Sequence, residues 1–529
     1  MGKEIGIDFG TTTTEVSYID RNGHSKSMKL EAGKDVIPTV LYFLSEDSWI
    51  IGKNASTRSR IHPEASVKNF KLFLTDPLKK YKVIAENKDE FTIKPIQAAQ
   101  YYLNSLIQII QPKLIKEFGA VDGVIDKAVI TAPALFDEFK RSAIKDALFK
   151  AGSKAGFSDI KIATEPTAAA VAYQEENCED GDTILVYDFG GGTFDVSIIE
   201  KKGDVYIEVD TGGDPTLGGN RITEKVAEVL WANCLDFVDR EYPFDEHEAD
   251  HYSEDDYDLD KLRFIRNRNS VFSAAEDLKI DFLEEDKLNV QIPFYYDNDS
   301  DPALIDITMD VADFNDIILG DVERTIVLTK SVLYRTIESG KINKIDQVVL
   351  AGGSSQLRLV KELLSNESEL KHLVGNGEDS STLISRGAAK LATIELKVEE
   401  KTRFEIGTRV VRGGTLDEFE PIIGVGVRLP CKGEHTFYLN REGQEEVTIE
   451  YFERDVKNFP EAGSIDDEGI NLVGVLNITG IPKQIGLSLK VEFNIERDGT
   501  PTIHAEILDA NGKAVKTEEL SIIKGGNLY

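Results

Sequence analysis

The sequence has few of the residues that mark a secreted, membrane-spanning or zinc-binding protein. Its 529 residues include three cysteines and seven histidines, with no C-x-x-C pair, so neither disulfides nor a structural zinc site is expected. No apolar run approaches the roughly 18 residues that a membrane span needs, and the N-terminus carries no signal-peptide pattern. These absences predict a cytoplasmic protein. The hydrophobic content of 41% predicts several buried cores, enough for about two to four domains.

Positive charge is also scarce. Lysine and arginine total 61 against 94 acidic residues, a net charge of −33. Such a chain repels phosphate backbones and anionic lipid, and no basic patch offsets this, so no nucleic acid or membrane is expected among its partners. The stretch 245–260 is the most acidic, with nine acidic residues in sixteen. It predicts a solvated loop or helix start, with a docking site for a basic partner as the alternative.

One sequence motif, which we call the repeated phrase, occurs twice in the chain. "GIDFGTTTTEVSYI" and "VYDFGGGTFDVSII" occupy residues 6–19 and 186–199. When the copies are aligned, Asp8 meets Asp188 and Glu15 meets Asp195. Each copy has a short apolar strand, a Gly/Thr turn and a second alternating strand, which predicts a β-hairpin.

The chemistry of these turns suits phosphate. Glycines let backbone N–H groups converge on an anion, threonine hydroxyls add donors, and an aspartate that ends a strand can hold the water shell of Mg²⁺. The P-loop and the dinucleotide fingerprint are excluded, because both lead from a strand into a helix. One such turn alone would be read as structural. The duplication repeats Asp, Gly, Thr and the acidic residue at Glu15 or Asp195 together. It therefore favours two turns that bind one polyphosphate from two sides.

Two further motifs accompany the hairpins. They are "ATEPTAAAVAY" at 163–173 and "VVLAGGSSQLRLVKELL" at 348–364. Together they resemble the actin-like ATPase superfamily and, within it, the DnaK-type 70-kilodalton heat-shock chaperones. The resemblance extends from residue 3 to approximately residue 525, with these motifs in the order and spacing of the family. It implies an α/β fold with two lobes, each a mixed sheet covered by helices, and a nucleotide in the cleft between them.

The resemblance also implies roles for individual residues. Asp8 and Asp188 would orient the water bound to Mg²⁺. The two turns would hold the phosphate oxygens of ATP or ADP through Gly10, Thr11, Thr12, Thr13, Gly190, Gly191, Gly192 and Thr193.

Catalysis would depend on Lys71, Glu165 and Asp195, with Thr193 acting beside them. Lys71 in "SVKNFKLFL" matches the lysine that reaches the γ-phosphate and its attacking water; viewed alone, it would be read as a solvated helix lysine. Glu165 would polarise Mg²⁺-bound water, and it also suits the start of a helix. Asp195 would position the water nucleophile, since such catalysis is mostly positioning and charge neutralisation.

The adenosine end departs from the family. Gly352, Gly353 and Ser354 would let the backbone approach the ribose and α-phosphate, but the arginine expected two residues later is Gln356. In "AEDLKIDFL" the ribose-side residues are Glu276 and Lys279, whereas the expected arginine and serine are Ile280 and Leu283. A guanidinium stacked on a base is worth about 1–2 kcal/mol. Apolar contact from Ile280 and Leu283 could replace it, so weaker or less base-selective binding is expected.

Two residues would couple the cleft to the outer surface. Pro133 and Arg141 match the proline switch and its arginine relay in the family. Without the resemblance, Pro133 would end a strand and Arg141 would be an exposed helix residue.

From about residue 404 the pattern changes to short alternating strands, which predicts a β-sandwich. After an actin-like ATPase, it resembles the peptide-binding β-domain of the chaperones. The predicted division is 1–393 for the ATPase domain, 394–403 for a linker and 404–529 for the sandwich. The implied partners are extended apolar segments of unfolded proteins, a J-domain co-chaperone and a nucleotide-exchange factor, with the chain as a monomer that serves protein folding and the stress response.

Two family features are expected to differ. The linker "IELKVEEKTRF" alternates apolar and charged residues, so its docking should be weaker or differently shaped. The chain stops at "IIKGGNLY", where the family continues into a helical lid, so the lid is either not encoded or trimmed. The main prediction is an ATP-dependent chaperone with slow ATP hydrolysis. The alternatives are a small-molecule kinase of the same superfamily and a nucleotide-binding scaffold with little or no turnover.

Overall fold

A computed structural model of the chain describes residues 3–31, 33–76, 78–134, 136, 138–152, 159–177, 181–203, 205–234, 259–295, 303–367, 370, 382–393, 401–402, 404–412, 415–439, 444–456, 461–467, 469–496 and 501–521. Outside this range lie Cys178, most of the acidic run 245–260, residues 394–400 of the predicted linker, and the last eight residues. In the described part, no helix is long and apolar enough to cross a membrane.

The first copy of the repeated phrase belongs to a six-stranded sheet. Its strands are β1 (Lys3–Phe9), β2 (Thr13–Ile19), β3 (Ser25–Ser27), β4 (Val36–Pro38), β10 (Ile125–Ala132) and β11 (Asp159–Thr164). The order is β11-β10-β1-β2-β3, with β4 also paired to β2. β1 and β2 form an antiparallel hairpin in which Asp8 lies directly opposite Glu15, while β1 and β10 are parallel. The first predicted hairpin is confirmed.

The second copy belongs to a four-stranded sheet. Its strands are β12 (Thr183–Phe189), β13 (Phe194–Lys202), β14 (Val205–Asp214) and β17 (Gln347–Ala351), in the order β14-β13-β12-β17. Here Asp188 lies opposite Asp195 in the β12–β13 hairpin. β17 runs parallel to β12 and places Ala351 beside Asp188. The second predicted hairpin is confirmed, and both acidic pairs occupy the same register position.

Helices surround these two sheets. They are α1 (Gly52–Ile61), α2 (Pro95–Phe118), α3 (Glu138–Gly152), α4 (Glu165–Asn177), α5 (Gly219–Ala232), α6 (Leu259–Asp281), α7 (Val311–Glu338), α8 (Arg358–Asn366) and α9 (Leu383–Thr393). Smaller sheets and hairpins are formed by β5 (Leu41–Ser45), β6 (Ser48–Ile51), β7 (Ser66–Val67), β8 (Tyr81–Ile84), β9 (Glu90–Ile93), β15 (Lys287–Phe294) and β16 (Ala303–Asp310).

Helices α4 and α9 join the two halves. One buried apolar cluster combines Val129 of the first sheet, Val186 of the second, Ala168 of α4 and Ala388 of α9. The helices approach closely because Gly387 has no side chain: a Cβ there would lie 1.7 Å from the carbonyl oxygen of Ala168. The halves therefore share one layer of helices, which fixes how the two hairpins are placed. We call the part built on the first sheet the first lobe and the part built on the second sheet the second lobe.

The strands after residue 404 form two packed four-stranded sheets. One has the order β19-β18-β21-β22 and the other β20-β23-β24-β25. Their strands are Glu405–Arg412 (β18), Thr415–Ile423 (β19), Cys431–Tyr438 (β20), Glu446–Arg454 (β21), Ile470–Thr479 (β22), Ser488–Ile495 (β23), Pro501–Leu508 (β24) and Ala514–Ser521 (β25). Side chains from both sheets, such as Tyr451 and Phe493, share one core. The predicted sandwich is confirmed. Its sheets can share a core because buried apolar residues alternate with more exposed ones along β23 and β24.

Candidate nucleotide site

The turn of the first hairpin, in the first lobe, faces the turn of the second hairpin, in the second lobe. A Cβ at Gly191 would lie 2.2 Å from the Thr12 hydroxyl oxygen, and one at Gly192 would lie 2.6 Å from that of Thr11. Any side chain at these two positions would collide with the opposite turn, so only glycine permits this approach. The structure thus brings together the two turns that the sequence predicts to hold phosphate. Gly10 and Thr13 lie within the first turn, where a Cβ at Gly10 would meet the Thr13 carbonyl oxygen at 2.3 Å.

Other elements hold the second turn from behind. The Gly190 carbonyl accepts hydrogen bonds from the Gly219 N–H (2.9 Å) and the Ser354 hydroxyl (3.0 Å). The Gly190 N–H donates to the Thr193 carbonyl (3.1 Å), which closes the turn. The start of α5 and the 3₁₀ turn Gly353–Gln356 therefore fix the turn's backbone from two directions.

Gly352 lies directly over Asp188. Its φ of +77° is in the left-handed region, and a Cβ would lie 2.6 Å from Asp188 Oδ1 and 2.5 Å from the Phe189 carbonyl oxygen. Both the backbone angle and the space demand glycine. This places the start of the "GGSS" segment beside a candidate Mg²⁺-orienting aspartate.

Burial disfavours the charged forms of Asp8 and Asp188. Burial and the neighbouring Glu165 raise the pKa of Asp8 to about 7, although Lys71 and a 3.0 Å hydrogen bond from the Thr131 hydroxyl act in the opposite direction. Burial, followed by repulsion from Glu165 and Asp195, raises the pKa of Asp188 well above its usual range. Several acidic groups therefore share a poorly solvated space.

Lys71 lies among these carboxyl groups. Its ammonium donates a 2.9 Å hydrogen bond to Glu165 Oε1, and the residue is only 1% exposed. Nζ also lies 5.7 Å and 5.5 Å from the ring centres of Phe9 and Phe136. The reading of Lys71 as a solvated helix lysine is wrong, because the 3₁₀ turn Phe70–Phe73 directs the side chain into the cleft.

The arrangement fits a hydrated divalent cation. Among the described residues, Asp188 Oδ2 is buried with no hydrogen-bond partner, and Asp188 is 3% exposed. Within the described residues, no group of three or more His, Cys, Asp or Glu side chains could hold a metal directly. Asp8 and Asp188 supply carboxylate oxygens, which suit the water shell of Mg²⁺.

On the adenosine side, the structure brings Glu276 and Lys279 together near the second turn. Lys279 Nζ donates to Glu276 Oε2 (2.7 Å), to the Thr223 hydroxyl (2.9 Å) and to the Gly219 carbonyl (3.1 Å). The ammonium is therefore held at the start of α5. A Cβ at Gly219 would lie 2.5 Å from Ser354 Oγ and 3.2 Å from Lys279 Nζ, so these groups converge there.

The two apolar residues at this end do not share one environment. Ile280 is 52% exposed, whereas Leu283 is partly buried against the core of the second lobe. Gln356 ends the 3₁₀ turn and is partly buried. Arg358, which the sequence analysis does not single out, donates to the Leu283 carbonyl (3.0 Å) and to Asp286 Oδ1 (2.6 Å). Its signal in the sequence is an arginine two residues after Gln356, within the same motif.

Arg141 is not the exposed helix residue that its position alone suggests. It is 2% exposed and donates a 3.1 Å hydrogen bond to the Ala134 carbonyl, next to Pro133. The structure therefore brings together the proline and arginine that the resemblance pairs.

Known proteins are similar to this chain over nearly its whole length. The family model described as Hsp70 protein matches residues 4–525. The chaperone protein DnaK of Mycoplasmopsis agalactiae is 28% identical over 523 residues, which cover 97% of this chain and 78% of that protein. The matched region includes both hairpins, the Lys71 segment and the β-sandwich. The chain therefore belongs to the Hsp70 protein family.

Proposed function

We propose that this chain binds ATP and Mg²⁺ between its two hairpin turns, hydrolyses ATP slowly to ADP and phosphate, and binds extended apolar segments of unfolded proteins through its β-sandwich. The chain is an ATP-dependent chaperone of the Hsp70 type. The family match and the DnaK relative support this assignment. The division into 1–393, 394–403 and 404–529 is part of the proposal. The observation that carries the site is the contact of Gly191 and Gly192 with Thr12 and Thr11.

The chain's own residues suit hydrolysis of a terminal phosphate. Backbone N–H groups and threonine hydroxyls of both turns bind the phosphate oxygens. The Lys71 ammonium, fixed by Glu165, stabilises charge that develops on the γ-phosphoryl oxygens. Asp195 positions the attacking water, and Glu165 would polarise water bound to Mg²⁺. Mg²⁺, when bound, would supply charge neutralisation at the phosphates.

The sandwich suits peptide binding. Large apolar side chains remain exposed on it, among them Val425, Tyr438 and Leu472. An extended peptide can pair with a strand edge through main-chain hydrogen bonds, while pockets accept alternate side chains. A J-domain co-chaperone and a nucleotide-exchange factor complete the proposed set of partners.

A turnover assay tests this function. Phosphate release from ATP is measured with the purified chain and Mg²⁺, alone, with an unfolded apolar peptide, with a J-domain, and with candidate sugars or acetate. Release that peptide or the J-domain stimulates supports the chaperone. The Asp188→Asn variant serves as the inactive control, because it keeps the shape of the turn and removes the charge.

Two outcomes would contradict the proposal. Phosphate transfer to a sugar or to acetate would identify a kinase of the same superfamily. Tight nucleotide binding without measurable release, with or without peptide, would identify a scaffold that has lost turnover. The altered base pocket at Ile280, Leu283 and Gln356 makes a comparison of ATP with GTP a useful further arm.

A further inference from the structure

Asn220, the second residue of α5, contacts both lobes beside the phosphate turns. Its backbone N–H donates a 2.7 Å hydrogen bond to the Gly191 carbonyl of the second turn. Its side-chain oxygen Oδ1 accepts a 3.3 Å hydrogen bond from the Thr12 hydroxyl of the first turn. Its side-chain nitrogen Nδ2 donates a 3.3 Å hydrogen bond to Asn69 Oδ1. One residue thus connects three segments that are distant in the sequence.

Asn69 links this contact to Lys71. It precedes the 3₁₀ turn Phe70–Phe73, and its φ of 56° is in the left-handed region, which asparagine tolerates better than most residues. The direction in which Lys71 leaves the backbone therefore depends on a strained residue whose side chain is bound by Asn220.

We infer that Asn220 is a positioning residue for hydrolysis: its amide holds the first turn and the Lys71 segment against the second turn, so that Lys71 is in place when the lobes close on nucleotide. The inference rests on the proposed function. The amide is engaged with Asn69 and Thr12, while the turns themselves hold the phosphates. Loss of the amide should therefore reduce the rate of hydrolysis more than the affinity for nucleotide.

The test uses the full chain and separates rate from binding. In Asn220→Ala the backbone N–H to Gly191 remains and only the bridge between the lobes is lost. The single-turnover rate of ATP hydrolysis should fall about tenfold, because the free energy of two neutral hydrogen bonds corresponds to a change in rate of that order. The Kd for ATP should stay within about threefold of wild type. Asn69→Gly keeps a left-handed backbone and removes the partner amide but leaves the bond from Thr12, so it should slow hydrolysis by a smaller factor than Asn220→Ala.

Three comparisons make the test specific. The double variant Asn220→Ala/Asn69→Gly should be no slower than Asn220→Ala alone, since that variant already lacks the bond to Asn69. Asn69→Asp keeps the acceptor oxygen and tolerates the left-handed backbone, so it should restore near-wild-type turnover. Asn233→Ala removes an amide at the other end of α5, where Nδ2 donates to the Val229 carbonyl within the same helix (2.7 Å), and should change nothing.

A second measurement does not depend on turnover. Hydrogen exchange followed by mass spectrometry should show about tenfold faster exchange of residues 70–74 in Asn220→Ala than in the wild type or in Asn233→Ala. Unchanged hydrolysis and unchanged exchange in Asn220→Ala would overturn the inference, as would a loss of ATP affinity as large as the loss of rate, or multiplying losses in the double variant. If the wild-type chain shows no turnover, the proposed function is contradicted. The hydrogen-exchange measurement then tests the role of Asn220 without the hydrolysis data.

Discussion

The Lys71 ammonium donates a buried 2.9 Å hydrogen bond to Glu165, although 94 residues separate the two in sequence. An ammonium out of water is costly unless it is paired, so Glu165 is what permits Lys71 to lie in the cleft. The bond also fixes the direction of the lysine side chain. A charge that is already oriented needs little rearrangement during the reaction, which is the condition for strong electrostatic stabilisation of a transition state.

Lys71→Ala should reduce ATP turnover by about a hundredfold with only a modest loss of binding, because the ammonium acts on charge that develops during the reaction. Single-turnover rates and equilibrium binding of ATP measure the two effects separately. Lys80→Ala is the control, since Lys80 is exposed in the same segment. Equal losses in rate and binding would mean that Lys71 holds only the ground state.

Asp8→Asn and Asp188→Asn should each abolish most ATP hydrolysis and leave the fold intact. Both residues are second from the end of their strands, beside preformed turns. The amide keeps the volume of the carboxyl group while it removes the charge that orients Mg²⁺-bound water. Phosphate release at a series of Mg²⁺ concentrations tests this. Asp182→Asn, which precedes β12 at the opposite end from Asp188, is the control. Normal turnover in Asp188→Asn would contradict the cleft site.

Asp8 should also lower the stability of the nucleotide-free protein at neutral pH. Its pKa rises from 3.8 to about 7 in the folded state, so the folded protein holds this proton more tightly than the unfolded chain. The resulting stabilisation is full below pH 3.8 and is lost as the pH rises through 7. A shift of this size corresponds to roughly 4 kcal/mol at most, so we expect Asp8→Asn to be about 2 kcal/mol more stable than wild type at alkaline pH.

The measurement is urea unfolding without Mg²⁺ or nucleotide, in acidic, neutral and alkaline buffers. Asp8→Asn should match wild type in acid and exceed it in alkali. Asp188 and Glu15, whose pKa values burial also raises, leave part of the wild-type decline in place. Asp47→Asn, in the exposed turn between β5 and β6, is the control. A difference between Asp8→Asn and wild type that does not change with pH would contradict this account.

The repeated phrase could be interpreted from sequence because its information is local. Alternation predicts the strands, Gly and Thr predict the turns, and the aligned pairs Asp8–Glu15 and Asp188–Asp195 fall in register because each hairpin has the same turn length. The sandwich strands could be predicted for the same reason.

The position of Lys71 and the role of Asn220 could not be predicted in this way. Glu165 lies 94 residues from Lys71, and Thr12 and Asn69 lie 208 and 151 residues from Asn220. Such contacts exist only after α4 and α9 join the two sheets, and no local pattern in the sequence encodes them. Resemblance to a family indicated Lys71, but it gave no reason to single out Asn220.

A surface ion pair between the lobes should slow nucleotide release, but only slightly. Arg60 of α1 forms two 3.2 Å hydrogen bonds with Asp277 of α6, and these helices belong to opposite lobes. The side chains are 46% and 48% exposed, and exposed pairs of this kind are worth about 0.2–1 kcal/mol. Arg60→Ala should therefore speed the release of a fluorescent ADP analogue by about 1.4- to fivefold at low salt. In 1 M salt, where the Debye length is about 3 Å, variant and wild type should converge.

The neighbouring Arg58 provides the control, because it pairs with Glu86 within the first lobe. Arg58→Ala removes the same charge from the same helix without touching the other lobe, so it should leave release unchanged. The exchanged pair Arg60→Asp/Asp277→Arg should recover slow release, since it restores attraction between the lobes with the charges reversed. Equal acceleration in Arg58→Ala and Arg60→Ala would show that overall charge near the cleft, and not the link between the lobes, controls release.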